Sequence, residues 1–397
     1  MKCLRCLNEN PDYFYEDQGR WYCRRCLDFG RLEAGTLPPT PRLTRSVLNV
    51  QPHLEFELLP FQKDVSSKTL DILKSGTDVL IYAVCGGGKT ELVLASIAHY
   101  LSQGKKVCFA ISRRQVVLEL AGRLAKNFPT LKVVPVCQGF TEITDGDLIV
   151  CTTHQLYRYS FCFDLLILDE LDAFPYAGNP VLEAIAMQSC IGQKIFLSAT
   201  PDQHCMKLIE QRKMEMVTLF KRPHQKPLCI PKVFYLSKTG MFLMTILALL
   251  RFRLKNKQVL LFVPRIRDAM WMKRVLRHLF KAEAITSKSE DKEKIMADFH
   301  ARKSRVLICT TVFERGITVP SVQVIVYHAD HPVFTEASLI QIFGRVGRSF
   351  SDPYGESLAF CLSPSRALNS CIRQLRHMNA VSGVQKKSGG IFRSKKS

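Results

Sequence analysis

The feature that most restricts the fold of this chain is a repeated alternation between short apolar runs and longer amphipathic segments. From Asp71 onward the apolar runs have the length and composition of buried strands, and the segments between them are long enough for crossover helices. This order predicts an α/β protein with two parallel-sheet domains in tandem. The predicted strands are DVLIYAV, KVCFAI, VVPVC, DLIVCT, DLLILD and KIFLSA in the first domain, and QVLLFVP, AEAITS, RVLICTT, VQVIVYH and SLAFCLS in the second.

The length and charge of the chain limit the functions that it can have. Its 397 residues, 47% of them hydrophobic, are enough for two or three domains with buried cores. Its formal net charge is +21, which favours a polyanionic partner such as nucleic acid or an anionic membrane surface. A basic protein without such a partner remains the alternative.

No segment has the length of a membrane span. The longest apolar stretch, GMFLMTILALL, is shorter than the roughly 20 residues that a transmembrane helix needs. The first residues begin no apolar run, so we expect no secretory signal and a cytoplasmic location. Most of the fifteen cysteines stand singly inside apolar runs, where cysteine behaves as a small hydrophobic residue.

Four cysteines near the amino terminus follow a different pattern. Cys3 and Cys6 form one CxxC pair, Cys23 and Cys26 form another, and sixteen residues separate the two pairs. This spacing is typical of a structural Zn²⁺ site, in which each pair presents two thiolates. Two reducible pairs, or a redox CxxC, are the alternative.

The segment between these cysteine pairs, NENPDYFYEDQGRWY, is rich in turn-forming and aromatic residues. It is too short to bury a core of its own, so we expect a ribbon that folds around the metal. Tyr13, Trp21 and Tyr22 either form the core of the ribbon or stack on bases, and the sequence leaves both open.

Changes in composition suggest where the domains divide. Residues 31–60 contain several prolines and no sustained period, and KRPHQKP is a basic, proline-containing hinge candidate. The tail QKKSGGIFRSKKS is expected to be flexible and to add nonspecific attraction to nucleic acid or acidic lipid headgroups. The predicted divisions are a cysteine module at 1–30, a linker at 31–55, a first large domain at 56–220, a hinge at 221–235, a second large domain at 236–380 and a basic tail at 381–397.

The stretch AVCGGGKTE joins the first predicted strand to a predicted helix. The strict phosphate-loop pattern requires glycine where Ala83 stands, but the chemistry is retained because consecutive glycines let backbone N–H groups surround a phosphate. Lys89 can reach the β- and γ-phosphates of a nucleotide, and the Thr90 hydroxyl can ligate Mg²⁺. The predicted nucleotide-binding residues of this loop are Cys85, Gly86, Gly87, Gly88, Lys89, Thr90 and Glu91.

A nucleotide hydrolase also needs acidic groups at the end of a neighbouring strand, and DLLILDELD supplies them. We predict that Asp169 holds Mg²⁺ together with Thr90, and that Glu170 orients or deprotonates the attacking water. A solvated acidic loop is the simpler alternative, but it does not explain why an apolar run leads directly into the acidic residues.

Polar residues also follow other predicted strands. Ser112-Arg113-Arg114 follows the second strand, and Thr152-Thr153-His154-Gln155 follows the fourth, where hydroxyls and arginines can meet backbone phosphates. His154 alone is more often a loop histidine with an internal partner. In the second domain a basic stretch contains Trp271 and is either a solvated helix face or a nucleic-acid track. Its basic residues are Arg265, Arg267, Lys273, Arg274, Arg277 and Lys281.

Several of these segments resemble motifs of the superfamily 2 helicases and translocases, which have two RecA-like domains. DELD and Ser198-Ala199-Thr200 are similar to motifs II and III, TTVFERGIT to motif V and QIFGRVGR to motif VI. The alanine in place of the first glycine of the phosphate loop is common in that superfamily. The resemblance implies ATP as the nucleotide, an adenine contact for Gln62 and a nucleotide contact for Gly316. Thr318 stands where one common form of motif V has aspartate, so a ribose contact is not carried over to it.

The two arginines of QIFGRVGR are three residues apart, which predicts that they lie on one helical face. As in the arginine fingers of related enzymes, Arg348 is expected to contact the γ-phosphate in the transition state, with Arg345 as its partner. Two solvated surface arginines are the alternative.

The amino-terminal cysteines together with LLPFQ, DELDAFPY, LSATP, ERGIT and QIFGRVGR resemble the ComFA family of late competence proteins. This resemblance implies an ATPase stimulated by single-stranded DNA that draws transforming DNA through a membrane channel. It also implies ComFC, DprA and the competence DNA channel as partners, and a location at the inner face of the cell membrane.

Other functions remain open at the level of the residues. Another superfamily 2 DNA or RNA helicase, acting in repair or replication restart, would carry the same motifs, since backbone contacts discriminate poorly between DNA and RNA. A DNA-binding scaffold switched by nucleotide, with little turnover, is an alternative outside the enzymes. Translocation polarity, duplex unwinding and oligomeric state do not follow from the sequence.

Overall fold

The computed structural model describes residues 1–170, 176, 178–311 and 319–383. The chain divides into two compact units. The first unit contains Met1–Ala83 and Gly88–Leu219, and the second contains Val84–Gly87 and Phe220–Ser397. The short segment Val84–Gly87 therefore belongs to the second unit, although it follows a strand of the first.

The amino terminus of the first unit is a small antiparallel ribbon. Its strands are β1 (Phe14–Asp17) and β2 (Arg20–Cys23), in register from the pair Phe14 and Cys23 to the pair Asp17 and Arg20. Gln18 and Gly19 both have positive φ, which is the geometry of a two-residue hairpin turn. Short 3₁₀ helices, Pro11–Tyr13 and Leu27–Phe29, flank the ribbon.

The main sheet of the first unit is entirely parallel, with the order β5-β6-β4-β7-β8-β3-β9. Its central strands carry runs of buried apolar residues because helices cover both faces. The strands are β3 (Asp78–Ala83), β4 (Val107–Ile111), β5 (Val133–Val136), β6 (Leu148–Thr152), β7 (Phe163–Asp169), β8 (Cys190–Ser198) and β9 (Met214–Leu219). The helices are α1 (Pro60–Lys74), α2 (Lys89–Leu92), α3 (Leu94–Leu101), α4 (Arg114–Asn127), α5 (Pro180–Ser189) and α6 (Gln203–Glu210).

Two hydrophobic clusters cover the faces of this sheet. One packs α1, α3 and α4 against the strands, through side chains such as Leu73, Ile97 and Leu124. The other contains Leu182 of α5 and also the four amino-terminal cysteines with Phe14. The cysteine module is therefore packed onto the body of the first unit.

The segment between the module and α1 lies along the first unit and is held by backbone hydrogen bonds. The Leu48 N–H donates to the Leu101 carbonyl at 3.0 Å, and the His53 N–H donates to the Asn127 carbonyl at 2.7 Å. Further along the sheet, the ammonium of Lys106 donates to the Thr44 carbonyl at 2.8 Å. We call residues 41–55 the strap.

The second unit contains another parallel sheet, with the order β10-β15-β14-β11-β13-β12 among the described residues. The strands are β10 (Lys232–Tyr235), β11 (Val259–Phe262), β12 (Ala282–Ile285), β13 (Val306–Cys309), β14 (Gln323–Tyr327) and β15 (Ser357–Cys361). The helices are α7 (Lys238–Leu254), α8 (Ile266–Phe280), α9 (Lys292–His300), α10 (Glu336–Phe343) and α11 (Arg366–Val381).

The prediction of two parallel-sheet domains is confirmed, and every predicted strand is present. Two strands were missed: β9, and β10, which lies inside the predicted hinge at 221–235. Both are edge strands with alternating or partial burial, so neither forms the continuous apolar run that marks a central strand. The exact domain boundaries stay predictions.

Among the helices of the described ranges, none combines the length and the apolar character that a membrane span requires.

Candidate functional site

The predicted phosphate loop follows β3 directly. Gly86 and Gly88 have φ values of 78° and 85°, so the two positions use conformations that favour glycine. Gly88 precedes the first residue of α2, Lys89, and its carbonyl accepts a hydrogen bond from the Leu92 N–H at 3.2 Å. The helix thus begins at Lys89, with its N–H groups at the end of the glycine loop.

Gln62 lies beside this loop, within the first unit. A Cβ atom added at Gly88 would lie 2.8 Å from the Gln62 side-chain nitrogen, so glycine is required for the close approach. The Gln62 carbonyl oxygen accepts a hydrogen bond from the Leu59 N–H at 3.1 Å, which fixes the amide at the first turn of α1. The structure therefore brings the residue predicted to contact adenine next to the phosphate loop.

Lys89 and Asp169 form an ion pair. The Lys89 ammonium is 3.4 Å from a carboxylate oxygen of Asp169, and both side chains are largely buried. Asp169 ends β7, which is separated from β3 by β8 alone, so the two predicted motifs meet at one edge of the sheet. The same Asp169 oxygen accepts a hydrogen bond from the Glu170 N–H at 2.8 Å.

Glu170 adopts an unusual backbone conformation at this edge. Its φ is 58°, in the left-handed region that a residue other than glycine rarely occupies. Such strain is concentrated at functional sites, where the surroundings hold a residue in place. The conformation turns the chain immediately after the Asp169 carboxylate.

Two other predicted loop residues have partners that the sequence did not suggest. The Glu91 carboxylate pairs with the Arg123 guanidinium at 2.5 Å, and its other oxygen would lie 3.4 Å from a Cβ atom added at Gly88. The Cys85 thiol is buried in the second unit and donates to the Gln341 side-chain oxygen at 3.0 Å. Thr90 is half-buried.

Ser198 and Thr200 follow the neighbouring strand β8. Ser198 is its last residue and is almost fully buried. Its hydroxyl accepts a hydrogen bond from the Thr200 N–H at 2.9 Å, so the SAT segment forms a tight turn at the end of β8. That end lies between the ends of β3 and β7, which carry the phosphate loop and Asp169.

The prediction that Arg345 and Arg348 share a helical face is wrong. Helix α10 ends at Phe343, and the segment continues as turns in which Gly347 has a φ of 65°. Arg345 is buried, whereas Arg348 is partly exposed and donates through Nε to the Gly344 carbonyl at 3.0 Å. The helix ends because Gly344 and Gly347 interrupt it and because the backbone carbonyls that follow Phe343 accept hydrogen bonds from a side chain.

That side chain belongs to Arg222, a residue that sequence reasoning placed only in a basic hinge. Within the second unit, its guanidinium donates to the carbonyls of Gly344, Val346 and Gly347 at 2.7 to 2.9 Å, and to the Cys85 carbonyl at 2.9 Å. Burial, followed by the nearby charge of Arg348, lowers the pKa of Arg222 to about 10.

Gly344 allows the close approach at this point. A Cβ atom added there would lie 2.8 Å from the Cys85 Cβ and 2.7 Å from the Ile340 carbonyl oxygen. Arg222 therefore ties the backbone of both predicted arginine positions to the carbonyl of Cys85. The only sequence signal for this role was an arginine directly before a proline in an otherwise polar segment.

The polar residues predicted to contact nucleic acid also come together. The partners Ile111 and Thr152 end the paired strands β4 and β6, so Ser112 and Thr153 lie next to each other. Their hydroxyl groups are buried and have no hydrogen-bond partner among the described residues. Nearby, Arg114 donates to the Gln138 carbonyl at 2.8 Å. These hydroxyls and arginines line one edge of the sheet of the first unit.

The four amino-terminal cysteines form a buried cluster. The Sγ atoms of Cys3 and Cys26 are 3.6 Å apart, and those of Cys6 and Cys23 are 3.7 Å apart. All four sulfur atoms lie within 4.8 Å of one another. A disulfide would bring a pair to about 2.05 Å. A tetrahedron with Zn–S bonds of about 2.3 Å has edges of about 3.8 Å, so the spacing fits zinc.

The pKa shifts within this cluster also favour a bound cation. Hydrogen bonds with Cys3 and Cys6 raise the pKa of the Cys26 thiol, and burial adds to the increase. The hydrogen bond from Cys26 lowers the pKa of Cys3. Ionisation of Cys3 therefore disfavours ionisation of Cys6 and Cys26. The side-chain amide of Asn8 also reaches the Cys23 sulfur at 3.9 Å.

The ribbon buries one aromatic residue, Phe14. Of the three aromatic residues named in the prediction, Tyr13 and Trp21 are more than two fifths exposed and Tyr22 is half-buried. Phe29 packs against Tyr157, with ring centroids 5.3 Å apart, and against His154 at 6.3 Å. Burial lowers the pKa of His154, so this histidine is an internal packing residue, as its loop position suggested.

Some predicted residues lie outside the described ranges. Among them are Leu171 and Asp172 of DELD, Gly316 and Thr318 of the segment resembling motif V, and the tail from 384 onward.

Comparison with protein families gives two matches that together span most of the chain. Residues 60–208 match the DEAD/DEAH box helicase family, and residues 242–350 match the helicase conserved C-terminal domain. The first match includes Gln62, the phosphate loop and Asp169; the second includes Arg345 and Arg348.

Curated proteins that resemble the chain along nearly its full length include two competence proteins. The competence protein ComFA of Streptococcus pneumoniae is 33% identical over 399 residues, covering 96% of this chain and 91% of that protein. ComFA of Bacillus subtilis is 30% identical over 401 residues, covering 96% and 86%. Among solved structures, Saccharomyces cerevisiae Dbp5 bound to RNA and ADP BeF3 shares the fold, with a TM-score of 0.56 and 17% identity over 83% of this chain and 93% of that one.

Proposed function

The chain belongs to the ComFA family of competence proteins and is an ATP-hydrolysing member of helicase superfamily 2, and from this we propose that it is a translocase for single-stranded DNA. In this role, ATP hydrolysis moves the protein along a strand, or the strand past the protein, during the import of transforming DNA. The observation that carries the proposal is the Lys89–Asp169 pair beside a glycine loop and Gln62.

The residues of the first unit have distinct tasks in the proposed reaction. When MgATP is bound, it supplies the γ-phosphoryl group that is transferred to water. Lys89 exchanges its contact with Asp169 for the β- and γ-phosphates, while Thr90 and Asp169 are placed to hold Mg²⁺. Glu170 accepts the proton of the attacking water, and the strained turn that it occupies fixes its position.

Arg348 completes this set of residues. We propose that Arg348 stabilises the negative charge that develops on the γ-phosphate in the transition state, and that Arg345 supports the same segment. Its guanidinium is partly exposed and is already oriented by the Gly344 carbonyl. Arg345 is buried, so it suits a supporting role better than direct contact.

DNA is the proposed substrate because of the competence family and the charge of the chain. A formal net charge of +21 favours a polyanion, and the hydroxyls of Ser112 and Thr153 lie side by side at a sheet edge with Arg114. Such contacts to phosphates carry no sequence information, as import of arbitrary DNA requires.

Zinc is proposed as the structural metal of the cysteine module. The sulfur spacing fits tetrahedral coordination, and the module packs onto the body of the first unit through Phe29. The metal would hold a ribbon whose own buried core consists of Phe14 and the cysteines.

ComFC, DprA and the competence DNA channel are the proposed partners, and the inner face of the cell membrane is the proposed location. These proposals rest on membership in the family.

The experiment that tests the function is ATP hydrolysis by zinc-loaded protein without nucleic acid and with single-stranded DNA, duplex DNA or RNA. We expect the largest stimulation by single-stranded DNA. Equal stimulation by RNA would favour an RNA helicase of the same superfamily, and nucleotide binding without turnover under all four conditions would favour a nucleotide-switched scaffold.

A further inference from the structure

Two sequence features have no part in the proposed ATPase. The longest apolar stretch, GMFLMTILALL, forms most of α7, and the basic stretch that contains Trp271 forms α8. A helix that is apolar on every side is normally buried on every side. Helix α7 departs from this rule, because a row of its leucines faces solvent.

Both helices cover the same face of the second sheet. Helix α7 contributes Met241, Leu249 and Phe252 to the core of the second unit, and α8 contributes Met272 and Leu276. These residues account for one side of each helix. The core does not account for the apolar residues on the opposite side.

The outer side of α7 carries four leucines at helical spacing. Leu243, Leu247, Leu250 and Leu254 are between 37% and 88% exposed. Their spacing of three or four residues places them in one row, which extends roughly 16 Å, or about three helical turns. A row of this length matches the apolar face of another short helix.

Helix α8 adds a second apolar row next to the first. Trp271, Val275 and Leu279 are spaced by four residues and are 44% to 50% exposed. The Trp271 ring packs against Phe242 of α7, with centroids 5.1 Å apart. At the other end, Arg253 of α7 donates to the Leu279 carbonyl at 2.7 Å.

The first contact joins the beginnings of the two helices and the second joins their ends, so α7 and α8 run in the same direction. Their exposed apolar rows therefore form one surface on neighbouring helices. The Trp271 ring is tilted by 52° against the Phe242 ring, so one part of it packs on α7 while the side chain remains 48% exposed. We call the seven residues of the two rows, together with Phe242, the α7/α8 surface.

Basic residues border this surface on the side of α8. Arg267, Arg274, His278 and Lys281 are exposed, and Arg274 lies one turn from both Met270 and His278. The acidic residues nearby are already paired: Asp268 with Arg267, Glu283 with Lys273, and Glu356 with Lys232, Arg251 and Lys255. The border therefore presents positive charge to any partner.

We propose that the α7/α8 surface binds an amphipathic helix of a partner protein whose apolar face is flanked by acidic residues. An apolar surface of about three turns fits the helix-in-groove mode of recognition, in which spaced apolar anchors give affinity. The basic border selects acidic flanks and increases the rate of association.

Other occupants fit these observations less well. A second copy of this chain would bring two basic borders together, and the tail QKKSGGIFRSKKS of this chain is itself basic. Single-stranded nucleic acid stacks its bases mainly on aromatic rings, whereas the exposed row on α7 consists of leucines.

The test uses the full chain and a fluorescein-labelled synthetic helix with leucines at heptad spacing and glutamates on both flanks. Fluorescence anisotropy should show binding by the wild type, weakening as salt is added. Leu247→Glu should weaken binding at least about tenfold, because the substitution puts a charge among the anchors. Ile143→Glu is the matched control, since Ile143 is 60% exposed in a loop of the first unit and Leu247 is 50% exposed.

A second pair of measurements separates charge from apolar contact. Arg274→Glu should weaken binding of the acidic helix and strengthen binding of the same helix with lysine in place of glutamate. Unchanged melting temperatures and unchanged ATP hydrolysis in these variants would show that the fold and the nucleotide site are intact. The result is therefore independent of whether the proposed DNA translocation is correct.

Several outcomes would overturn the proposal. Binding of the acidic helix no tighter than that of a scrambled peptide would remove it. If the protein floats with vesicles of phosphatidylglycerol and Leu247→Glu abolishes this flotation, the surface binds lipid. If the protein dimerises with increasing concentration and the same substitution abolishes dimerisation, the surface binds a second copy. Displacement of the peptide by a single-stranded oligonucleotide would assign it to nucleic acid.

Discussion

Arg222 shows that the backbone of a site can depend on one residue that belongs to no sequence motif. Its buried guanidinium has no carboxylate partner among the described residues, and four backbone carbonyls accept its hydrogen bonds instead. Buried arginines are normally paired with an acid, so this arrangement is costly unless every carbonyl contact is kept. Arg222 fixes the backbone on which Arg345 and Arg348 stand, which is a positioning role.

Replacement of Arg222 by methionine should therefore destabilise the second unit by about 2 to 4 kcal/mol, because four buried carbonyls lose their donor. Urea denaturation followed by tryptophan fluorescence measures this, since Trp271 lies in that unit. Lys221→Met, which removes the neighbouring positive charge, should change the free energy of unfolding by less than about 0.5 kcal/mol. Equal effects of the two substitutions would argue against the positioning role.

Lys89 is the residue on which the ATPase site depends most directly. Lys89→Ala removes the ammonium that would bind the phosphates, so the rate of ATP hydrolysis should fall at least about a hundredfold. Binding of single-stranded DNA without nucleotide should persist. A malachite green assay and fluorescence anisotropy measure the two properties, with Lys63→Ala, an exposed lysine of α1, as control. Normal turnover by Lys89→Ala would exclude the assigned phosphate loop.

At the scale of elements, the cysteine module is predicted to depend on its metal. Cys3→Ser combined with Cys26→Ser removes two of four ligands, so bound zinc measured by atomic absorption should fall from about one per chain to near zero. Cys229 lies outside the cluster, so Cys229→Ser should leave the zinc content unchanged. Retention of zinc by the double variant would mean that other residues hold the metal.

One of the contacts that hold the strap comes from the Lys106–Asp145 ion pair, in which the Asp145 side chain is 32% exposed. The Lys106 ammonium donates to Asp145 at 2.9 Å and to the Thr44 carbonyl at 2.8 Å, and its side chain is almost fully buried. Burial raises the pKa of Asp145, but hydrogen bonds from Lys106 and Thr44 outweigh this effect and bring the pKa to about 2. The folded state therefore favours the ionised carboxylate.

Because its pKa is lower in the folded state, Asp145 stabilises the protein above its unfolded pKa of about 3.9, and this contribution is lost as the pH falls towards about 2. Asp145→Asn should cost about 1 to 2 kcal/mol at pH 7, and the difference from wild type should narrow between about pH 4 and pH 2. Denaturation at several pH values measures it. A difference that grows on acidification would contradict the pairing.

The sequence predicted the strands that contain a recognisable apolar run. The strands β4 and β11 are apolar along their whole length, and β7 contains the apolar run 165–168 between two aspartates. Edge strands β9 and β10 lack such a run. The end of α10 was also missed, because it depends on Arg222, which is more than a hundred residues away in the chain.

The candidate site was predictable to the extent that local spacing determines it. The placement of Gln62 beside Gly88 and of Lys89 beside Asp169 agrees with the motif order. The partners Arg123 of Glu91 and Gln341 of Cys85 depend on tertiary packing, and no local pattern indicates them. The same holds for the α7/α8 surface, since only the structure shows which leucines the core leaves exposed.

At the scale of the whole molecule, the proposed function depends on three local sites. The phosphate loop with Asp169 is the proposed site of hydrolysis, the turns after α10 carry the two arginines, and the cysteine module is fixed on the first unit. Motion along DNA requires that ATP binding and hydrolysis alter the grip on the strand in alternation. Hydrolysis alone does not show such motion.

The most direct test is displacement of streptavidin from either end of a biotinylated single-stranded oligonucleotide, with zinc-loaded protein and ATP. We predict displacement from one end only, with none when Lys89→Ala replaces the wild type or when ATP is replaced by a non-hydrolysable analogue. Hydrolysis stimulated by single-stranded DNA, but without displacement from either end, would contradict translocation as the function of this chain.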